Sequence, residues 1–243
     1  IAREVKDVRL ATQVMAQSDP RDPWWAPVPF LGPKPDGPIR VAFTKAAHGY
    51  PIHPEILAHL DLAQAALTAA GYEVEEVPVP SITPAAKAWF DVALLEIKEG
   101  LDPLAREHGS QTIQNIFDYY YQMSDTVDYK GYMKGVGDRS GIIRPWNVFL
   151  QDYPLVLTPF LMRSTYDYDH DETFEGSKDL FDSAIYSYGI NYMGLPAGVV
   201  PTGLIEDRPS AVQIVGQRFR EDLILDALEV IEAAVGVLSP RLW

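Results

Sequence analysis

The residues best placed to do chemistry in this sequence lie in one acidic stretch, from Tyr166 to Glu172. Carboxylates at alternate positions surround His170, and oxygen ligands with an imidazole could bind a divalent cation. The stretch lacks the glycine and the terminal glutamate spacing of a calcium-binding loop. A solvent-exposed acidic loop explains the same residues, and the sequence favours that alternative over a metal site.

A serine nucleophile needs a base within hydrogen-bonding reach, and no spacing in this sequence indicates such a pair. There is no G-x-S-x-G, no S-x-x-K and no H-E-x-x-H pattern. The nearest pairings are Ser177 with Lys178 and Arg139 with Ser140, which we expect to be ordinary loop residues. We therefore assign no catalytic residue, no metal ligand and no cofactor site from spacing.

The composition limits the class of protein. The 243 residues include 20 basic and 34 acidic side chains, a net charge of −14, and no cysteine. This charge argues against nonspecific binding to nucleic acid or to an anionic membrane. The sequence has no apolar run of membrane-spanning length and no signal-peptide layout. We expect one large domain in the cytoplasm, since the lack of cysteine is compatible with a reducing compartment.

The clearest local unit is a strand, a helix and a second strand. A strand over 39–43, a helix from Pro54 to Gly71 and a strand over 72–77 predict a right-handed crossover between parallel strands. No glycine-rich phosphate loop precedes the helix, which excludes a nucleotide site of that kind.

The other elements follow from apolar spacing and from proline. The proline-rich stretch 20–38 favours an extended surface segment, and its aromatic residues either pin that segment or form a ligand wall. Helices are also predicted over 1–17, from Thr83, and over 111–122, 128–149, 180–190 and 221–235. A strand is predicted within 152–159. The predicted fold class is α/β, a mixed β-sheet flanked by helices.

The stretch 191–216 has two short apolar runs bounded by glycine and proline, which predicts two buried strands in a hairpin. It also carries a specific pattern: Asn191…Gly194-Leu195-Pro196-Ala197…Val200-Pro201…Gly203…Gln213-Ile214-Val215-Gly216…Arg218-Phe219…Glu221-Asp222. This pattern resembles the C-terminal block of the amidase signature family. The opening, Ile1 to Val8, resembles the family segment that comes shortly after its Gly/Ser-rich catalytic loop.

The resemblance implies an α/β serine hydrolase that cleaves a carboxamide C–N bond through an acyl-enzyme, without a metal or organic cofactor. The family's nucleophilic serine, bridging serine and lysine have no matching pattern in this sequence, so no catalytic residue is carried over. We therefore interpret residues 1–243 as the C-terminal part of a single amidase signature domain. Residues 81–150 match poorly and are expected to be a variable helical region that sets substrate specificity.

This interpretation predicts partners as well as a substrate. A small-molecule amide is expected to bind, and a complementary N-terminal chain or segment would supply the nucleophile, so this chain alone is expected to be inactive. A half-sheet leaves an open strand edge and an apolar face, which favour association, including a homo-oligomer. Two alternatives stay open: a non-catalytic binding fragment or subunit of the same fold, and an unrelated cation-binding domain that uses residues 166–172.

Substrate contacts can be carried over position by position. The family lines its acyl channel with the helix before Asn191 and with the loop after the Thr158-Pro159 strand. The matching positions are Tyr186, Ser187, Ile190, Phe160 and Met162. Tyr186 and Ile190 are equally well explained as core residues on one helix face. The resemblance also suggests that carboxylates of the acidic stretch, Asp169 and Asp171, favour substrates with a cationic group.

Overall fold

A five-stranded mixed sheet forms the centre of the protein. This computed structural model describes residues 1–124 and 128–238; residues 125–127, inside the predicted 81–150 region, and 239–243 lie outside the described residues. The strands are β1 (Arg40–Phe43), β2 (Glu73–Glu76), β3 (Leu155–Pro159), β4 (Ala197–Ile205) and β5 (Arg208–Gly216). Their order is β2-β1-β3-β5-β4, with β1 parallel to β2 and β3, and β5 antiparallel to β3 and β4. The predicted mixed α/β class is confirmed.

Helices cover both faces of this sheet. They are α1 (Val5–Met15), α2 (Pro54–Ala69), α3 (Thr83–Glu96), α4 (Asp102–His108), α5 (Gln111–Gln122), α6 (Tyr129–Asp152), α7 (Phe174–Ser183), α8 (Ile185–Met193) and α9 (Glu221–Val235). A π-helical turn at Ile97–Leu101 joins α3 to α4, and His170–Glu172 forms a short 3-10 helix. One core lies between the sheet and α1, α2 and α9, and a second between the sheet and α3, α6 and α8. In the described ranges, no helix is both long and apolar enough to cross a membrane.

The predicted strand–helix–strand unit is confirmed in its elements and in its parallel pairing. α2 begins at Pro54, whose fixed φ suits the first helical position, and the His53 ring accepts the Glu55 N–H at 3.3 Å. Gly71 follows the helix with φ 93°, a left-handed angle that glycine adopts without strain. The inner face of α2 is fully buried at four apolar residues: Ile56, Leu60, Ala63 and Leu67.

The predicted hairpin joins β4 to β5 through the two-residue turn Glu206-Asp207. Both turn residues have positive φ, 51° and 61°, as the tight turn that matches strand twist requires. β5 is an inner strand, but β4 lies at the edge of the sheet, and Val199 is 41% exposed. The prediction of two buried strands was therefore wrong for β4, because burial depends on which strand lies at the edge.

The single helix predicted over 180–190 is two helices in the structure. Ala184, with φ −104° and ψ 18°, separates α7 from α8. The Ser183 C=O accepts the N–H of Met162 at 2.9 Å, while the Ser187 N–H donates to the Ala184 C=O at 2.8 Å. A contact from a distant loop thus takes the carbonyl that a continuous helix would use.

α6 continues through glycines and Pro145, residues that locally disfavour a helix. Gly135 is buried against α3, where an added Cβ would lie 2.7 Å from Val92 Cγ2. Trp146 and Leu150 of the same helix are buried in the second core. Close packing, rather than local propensity, therefore holds α6 in place.

Candidate functional site

The loops that follow the parallel strands β1 and β3 meet at one edge of the sheet. In open α/β sheets, ligands bind outside this carboxyl edge. Met162, in the loop after β3, bridges two other elements: its N–H donates to the Ser183 C=O and its C=O accepts the His53 N–H, both at 2.9 Å. These two bonds fix the start of the β3 loop beside α2 and the α7–α8 junction.

Asp179, on α7, fixes the remainder of that loop. Its carboxylate accepts the Tyr50 hydroxyl at 2.8 Å, lies 2.9 Å from His170 Nε2 and pairs with Arg163; the Tyr166 ring packs 5.1 Å from the His170 ring. Burial alone would raise the pKa of Asp179, but the hydrogen bonds from Tyr50 and His170 and the charge of Arg163 hold it below its ordinary value. We call these five residues the loop anchor.

The acidic stretch 166–172 is held mainly by contacts within the protein. Asp167 pairs with Arg208, and the Asp171 C=O accepts the Ser177 hydroxyl at 2.8 Å. Within residues 1–124 and 128–238, no group of three or more His, Asp or Glu side chains is placed to hold a metal ion. The cation-binding alternative therefore has no supporting cluster in that part of the chain.

The serine pairings noticed in the sequence do not form a nucleophile and its base. Ser177 and Lys178 lie in α7 rather than in a loop; the serine hydroxyl is bonded to the Asp171 C=O, and the lysine pairs with Asp182. Arg139 and Ser140 lie in α6, also not in a loop. These locations correct the expectation of loop residues.

A serine–histidine contact occurs elsewhere, between Ser210 Oγ and His59 Nδ1 at 2.9 Å. Ser210 is only 5% exposed, and burial lowers the pKa of His59. Gly203 packs closely against the His59 ring, since an added Cβ there would lie 2.4 Å from His59 Nε2. The Ser210 hydroxyl is thus buried between α2 and the β4–β5 hairpin, while His59 is half-buried.

Tyr186 links α8 to the loop after β1 through its hydroxyl. That hydroxyl donates to the Ala46 C=O at 3.1 Å and lies 2.9 Å from His48 Nε2. Burial raises the pKa of Tyr186 to about 12 and lowers the pKa of His48, which favours the neutral form of both groups. This pair ties the β1 loop to α8.

The five predicted pocket residues fall into two groups. Tyr186, Ile190 and Met162 are at most 2% exposed and belong to the second core. Phe160 and Ser187 are half-buried. The structure therefore brings the first three together as core residues. For Tyr186 and Ile190 this is the alternative explanation given above. Ligand contact by any of the five stays a prediction.

The sequence analysis did not predict a cluster of aromatic rings that four helices bring together. Five rings from α3, α5, α7 and α8 contact one another, and we call them the ring cluster: Trp89, Phe90, Tyr120, Phe181 and Tyr188. The Phe181 ring lies at the centre, 4.9 Å from Phe90, 5.0 Å from Tyr120 and 5.6 Å from Tyr188. The aromatic residues are visible in the sequence, but their meeting depends on tertiary packing.

A cavity of about 230 Å³ opens beside the ring cluster. Its apolar walls include Phe90, Tyr188, Ile185 and Met123, and Lys87 and Asp91 add charged groups. Aromatic walls with a few polar groups suit a flat apolar group, which can stack on the rings. A larger cavity of about 490 Å³ between α3 and α6 is bordered by glycines and by charged side chains, so it suits such a group less well.

Comparison with known proteins gives a consistent result. The family model described as Amidase matches residues 1–225. The chain is 39% identical over 246 residues to the indoleacetamide hydrolase of Bradyrhizobium diazoefficiens (strain USDA 110), a match that covers 100% of this chain and 47% of that protein. It is 25% identical to a glutamyl-tRNA(Gln) amidotransferase subunit of Lacticaseibacillus casei, covering 96% and 54%. The chain thus spans about half the length of the curated relatives it matches.

Solved structures agree on the fold. A 6-aminohexanoate cyclic dimer hydrolase superposes with TM-score 0.73 at 22% identity, covering 96% of this chain and 54% of that one. A bacterial aryl acylamidase of the amidase signature enzymes gives TM-score 0.74 at 21% identity, covering 96% and 52%. At these identities the likeness shows the fold alone.

Proposed function

This chain belongs to the amidase family, and we propose that it is the substrate-binding part of an enzyme that hydrolyses a carboxamide through a serine acyl-enzyme. The observation that carries the proposal is the 39% identity along the whole chain to an indoleacetamide hydrolase. In the proposed reaction a serine Oγ attacks the amide carbon, the C–N bond breaks with protonation of the leaving nitrogen, and water then hydrolyses the ester. The serine and its base would come from a complementary N-terminal chain or segment, so this chain alone would be inactive.

The proposed substrate class is an aromatic primary amide such as indoleacetamide. The ring cluster and its cavity support this class, because an indole ring can stack on Phe90 and Tyr188. We propose that Phe160 and Ser187, which are half-buried, also line the substrate pocket. Tyr186, Ile190 and Met162 lie in the second core. We propose that they support this wall from behind and contact the substrate where the pocket reaches them.

The complementary chain or segment is supported by coverage, and its N-terminal position by the family resemblance. The chain matches 47% of one relative and 54% of another, and the second is named as a subunit. A homo-oligomer of the assembled enzyme and a cytoplasmic location complete the proposal; the absence of cysteine is compatible with the latter. The region 81–150 would set specificity, since α3 and α5 contribute rings to the cluster.

A fluorophosphonate probe tests the acyl-enzyme directly. The chain is co-expressed with the part of the Bradyrhizobium relative that it does not match, and the labelled protein is digested and analysed by mass spectrometry. We expect the label on one serine of the N-terminal segment and none on this chain. Labelling of a serine in this chain would contradict the assignment of the nucleophile.

A non-catalytic binding role is the second candidate. The cavity beside the ring cluster supports it, because ligand binding there needs no nucleophile. An assembled protein that binds indoleacetamide in a calorimeter, releases no ammonia and takes no fluorophosphonate label would establish this role in place of the hydrolase.

A further inference from the structure

We propose that this chain binds an aromatic carboxylate in a third cavity, of about 330 Å³, where α3, α6 and the end of α8 meet. Its lining includes Trp89, Val136, Arg139 and Asn191, and we call it the Arg139 cavity. It shares no lining residue with the cavity beside Phe90. The inference goes beyond the proposed function, because it concerns a second ligand and uses residues of this chain alone.

Arg139 supplies a positive charge that is already held in position. Its Nε–H donates to the Tyr192 C=O at 2.8 Å, at the C-terminal end of α8. Gly194 leaves room for the guanidinium, since an added Cβ there would lie 2.8 Å from Arg139 Nη2. In the described part of the chain, no carboxylate pairs with Arg139 and no acceptor takes its Nη N–H groups. These groups can therefore form a bidentate pair with the carboxylate of a ligand.

Asn191 adds a second hydrogen-bonding group beside the guanidinium. It is the neighbour in sequence of Tyr192, whose C=O holds Arg139, and its side chain is exposed in the lining of the cavity. Within residues 1–124 and 128–238, its side-chain amide has no hydrogen-bond partner. An amide N–H can donate to a carboxylate oxygen, so both side chains suit the same ligand group.

The packing of α3 on α6 places an aromatic ring at the same end of the cavity. The Glu96 carboxylate accepts the Tyr132 hydroxyl at 3.2 Å. Further along α6, an added Cβ at Gly135 would lie 2.7 Å from Val92 Cγ2, so the two helices run in opposite directions. Trp89, one turn before Val92, therefore lies towards the guanidinium. A flat ring stacked on its indole would have its carboxylate beside that charge.

The far end of the cavity does not cancel the positive charge. Glu96 lies there with Tyr132, which precedes Arg139 by seven residues, about 10 Å along the axis of α6. A π-helical turn, Ile97–Leu101, begins directly after Glu96, and such turns are frequent at functional sites. Between the two ends the lining is apolar, at Val136 and its neighbours on α3. This arrangement suits a ligand with one carboxylate and an apolar ring.

A matched pair of ligands tests the site in the unchanged chain. Indole-3-acetate and indole-3-acetamide differ only in the carboxylate, and each is titrated into the ¹⁵N-labelled chain while the Asn191 side-chain amide signals are followed by NMR. We expect these signals to respond to indole-3-acetate at concentrations at least about tenfold lower than to indole-3-acetamide. An equal response to the two ligands, or no response of Asn191 to either, would overturn the proposal.

Two methionine variants test the role of the guanidinium. Arg139→Met removes the charge from the cavity, and Arg144→Met is the control, at an exposed arginine of α6 outside the lining. The Kd for indole-3-acetate should rise about tenfold or more in Arg139→Met and stay unchanged in Arg144→Met. Equal Kd values in the two folded variants would contradict the assignment. The comparison of ligands needs no substitution, so it decides the matter even where Arg139→Met misfolds.

The carboxylate could also come from a side chain of the complementary segment, and the assembled protein separates the two sources. The titration is repeated on the chain co-expressed with the part of the Bradyrhizobium relative that it does not match. Retained binding of indole-3-acetate supports a small-molecule site, whereas binding that is lost in the complex shows that the segment covers the cavity and overturns the proposal. If no complex forms, the partner in the proposed function is wrong, and the titration of the chain alone still decides the site.

Discussion

A single carboxylate, that of Asp179, holds together segments up to 129 residues apart in the chain. A partly buried carboxylate is unfavourable unless hydrogen bonds replace its water. Here Tyr50, Arg163 and His170 supply those bonds from the β1 loop and from both ends of the β3 loop. The loop anchor therefore makes the carboxyl edge of the sheet a defined surface.

Asp179→Asn tests the anchor at the level of one residue. The amide keeps the shape but loses the charge, so we expect the free energy of unfolding to fall by about 1–2 kcal/mol. Asp182→Asn is the control, because its ion pair with Lys178 is largely exposed and should contribute less than about 0.5 kcal/mol. Urea unfolding measures both, and equal midpoints would show that Asp179 is not an anchor.

The pH dependence of this difference has a definite sign. Folding lowers the pKa of Asp179 below its ordinary value of 3.8, so the folded state favours the charged carboxylate. Its stabilisation is present at pH values above the unfolded-state pKa, and it is lost as the pH falls through the lowered pKa. Unfolding curves of the unchanged protein and Asp179→Asn should thus differ at pH 7 and converge below about pH 4. A gap that widens in acid would contradict the sign.

Phe90 tests the aromatic pocket. In the assembled enzyme, Phe90→Ala should raise KM for indoleacetamide by about tenfold, because one stacking wall is lost, while KM for acetamide changes little. Tyr129→Ala, at an exposed aromatic residue outside this cavity, is the control and should change neither value. Steady-state ammonia release measures the KM values of both variants for both substrates. An equal rise for both substrates would place the indole elsewhere.

At the scale of elements, glycine has two different uses in α6. Gly135 lets α6 approach α3 closely, whereas an added Cβ at Gly137 would meet no atom within 4 Å. The same residue type in the same helix is thus required at one position and replaceable at the other. The difference lies in the neighbouring helix, not in α6.

Alanine at these two positions measures that difference. Gly137→Ala should stabilise the protein by up to about 1 kcal/mol, because alanine favours a helix. Gly135→Ala should cancel that gain and destabilise by about 1 kcal/mol or more, since the stiff Val92 side chain must move. Thermal unfolding of both variants tests this, and equal stabilisation at both positions would rule out tight packing at Gly135.

Elements set by local signals were predictable, and those set by distant contacts were not. Pro54 and Gly71 marked the ends of α2, and glycine and proline bounded the two apolar runs of the β4–β5 hairpin. The break at Ala184 depends on the N–H of Met162, and the exposure of Val199 depends on strand order. Neither can be predicted from the residues next to these positions in the sequence. Candidate pocket positions came from a resemblance, but the ring cluster is assembled from four helices and could not be read from spacing.

At the scale of the whole molecule, the sheet is asymmetric. Carboxylates line the β2 edge, and the β4 edge is uncharged beside an apolar groove. The loop anchor and the ring cluster lie on segments that this chain supplies itself, while the proposed nucleophile comes from its partner. This arrangement supports the proposal that the chain is a substrate wall which a second segment completes.

Ammonia release from indoleacetamide tests this account most directly. It is measured for this chain, for the part of the Bradyrhizobium relative that this chain does not match, and for the two co-expressed. We predict turnover only when both are present, with loss of turnover after fluorophosphonate treatment. A complex that forms and yet releases no ammonia, or ammonia release by this chain alone, would contradict the account.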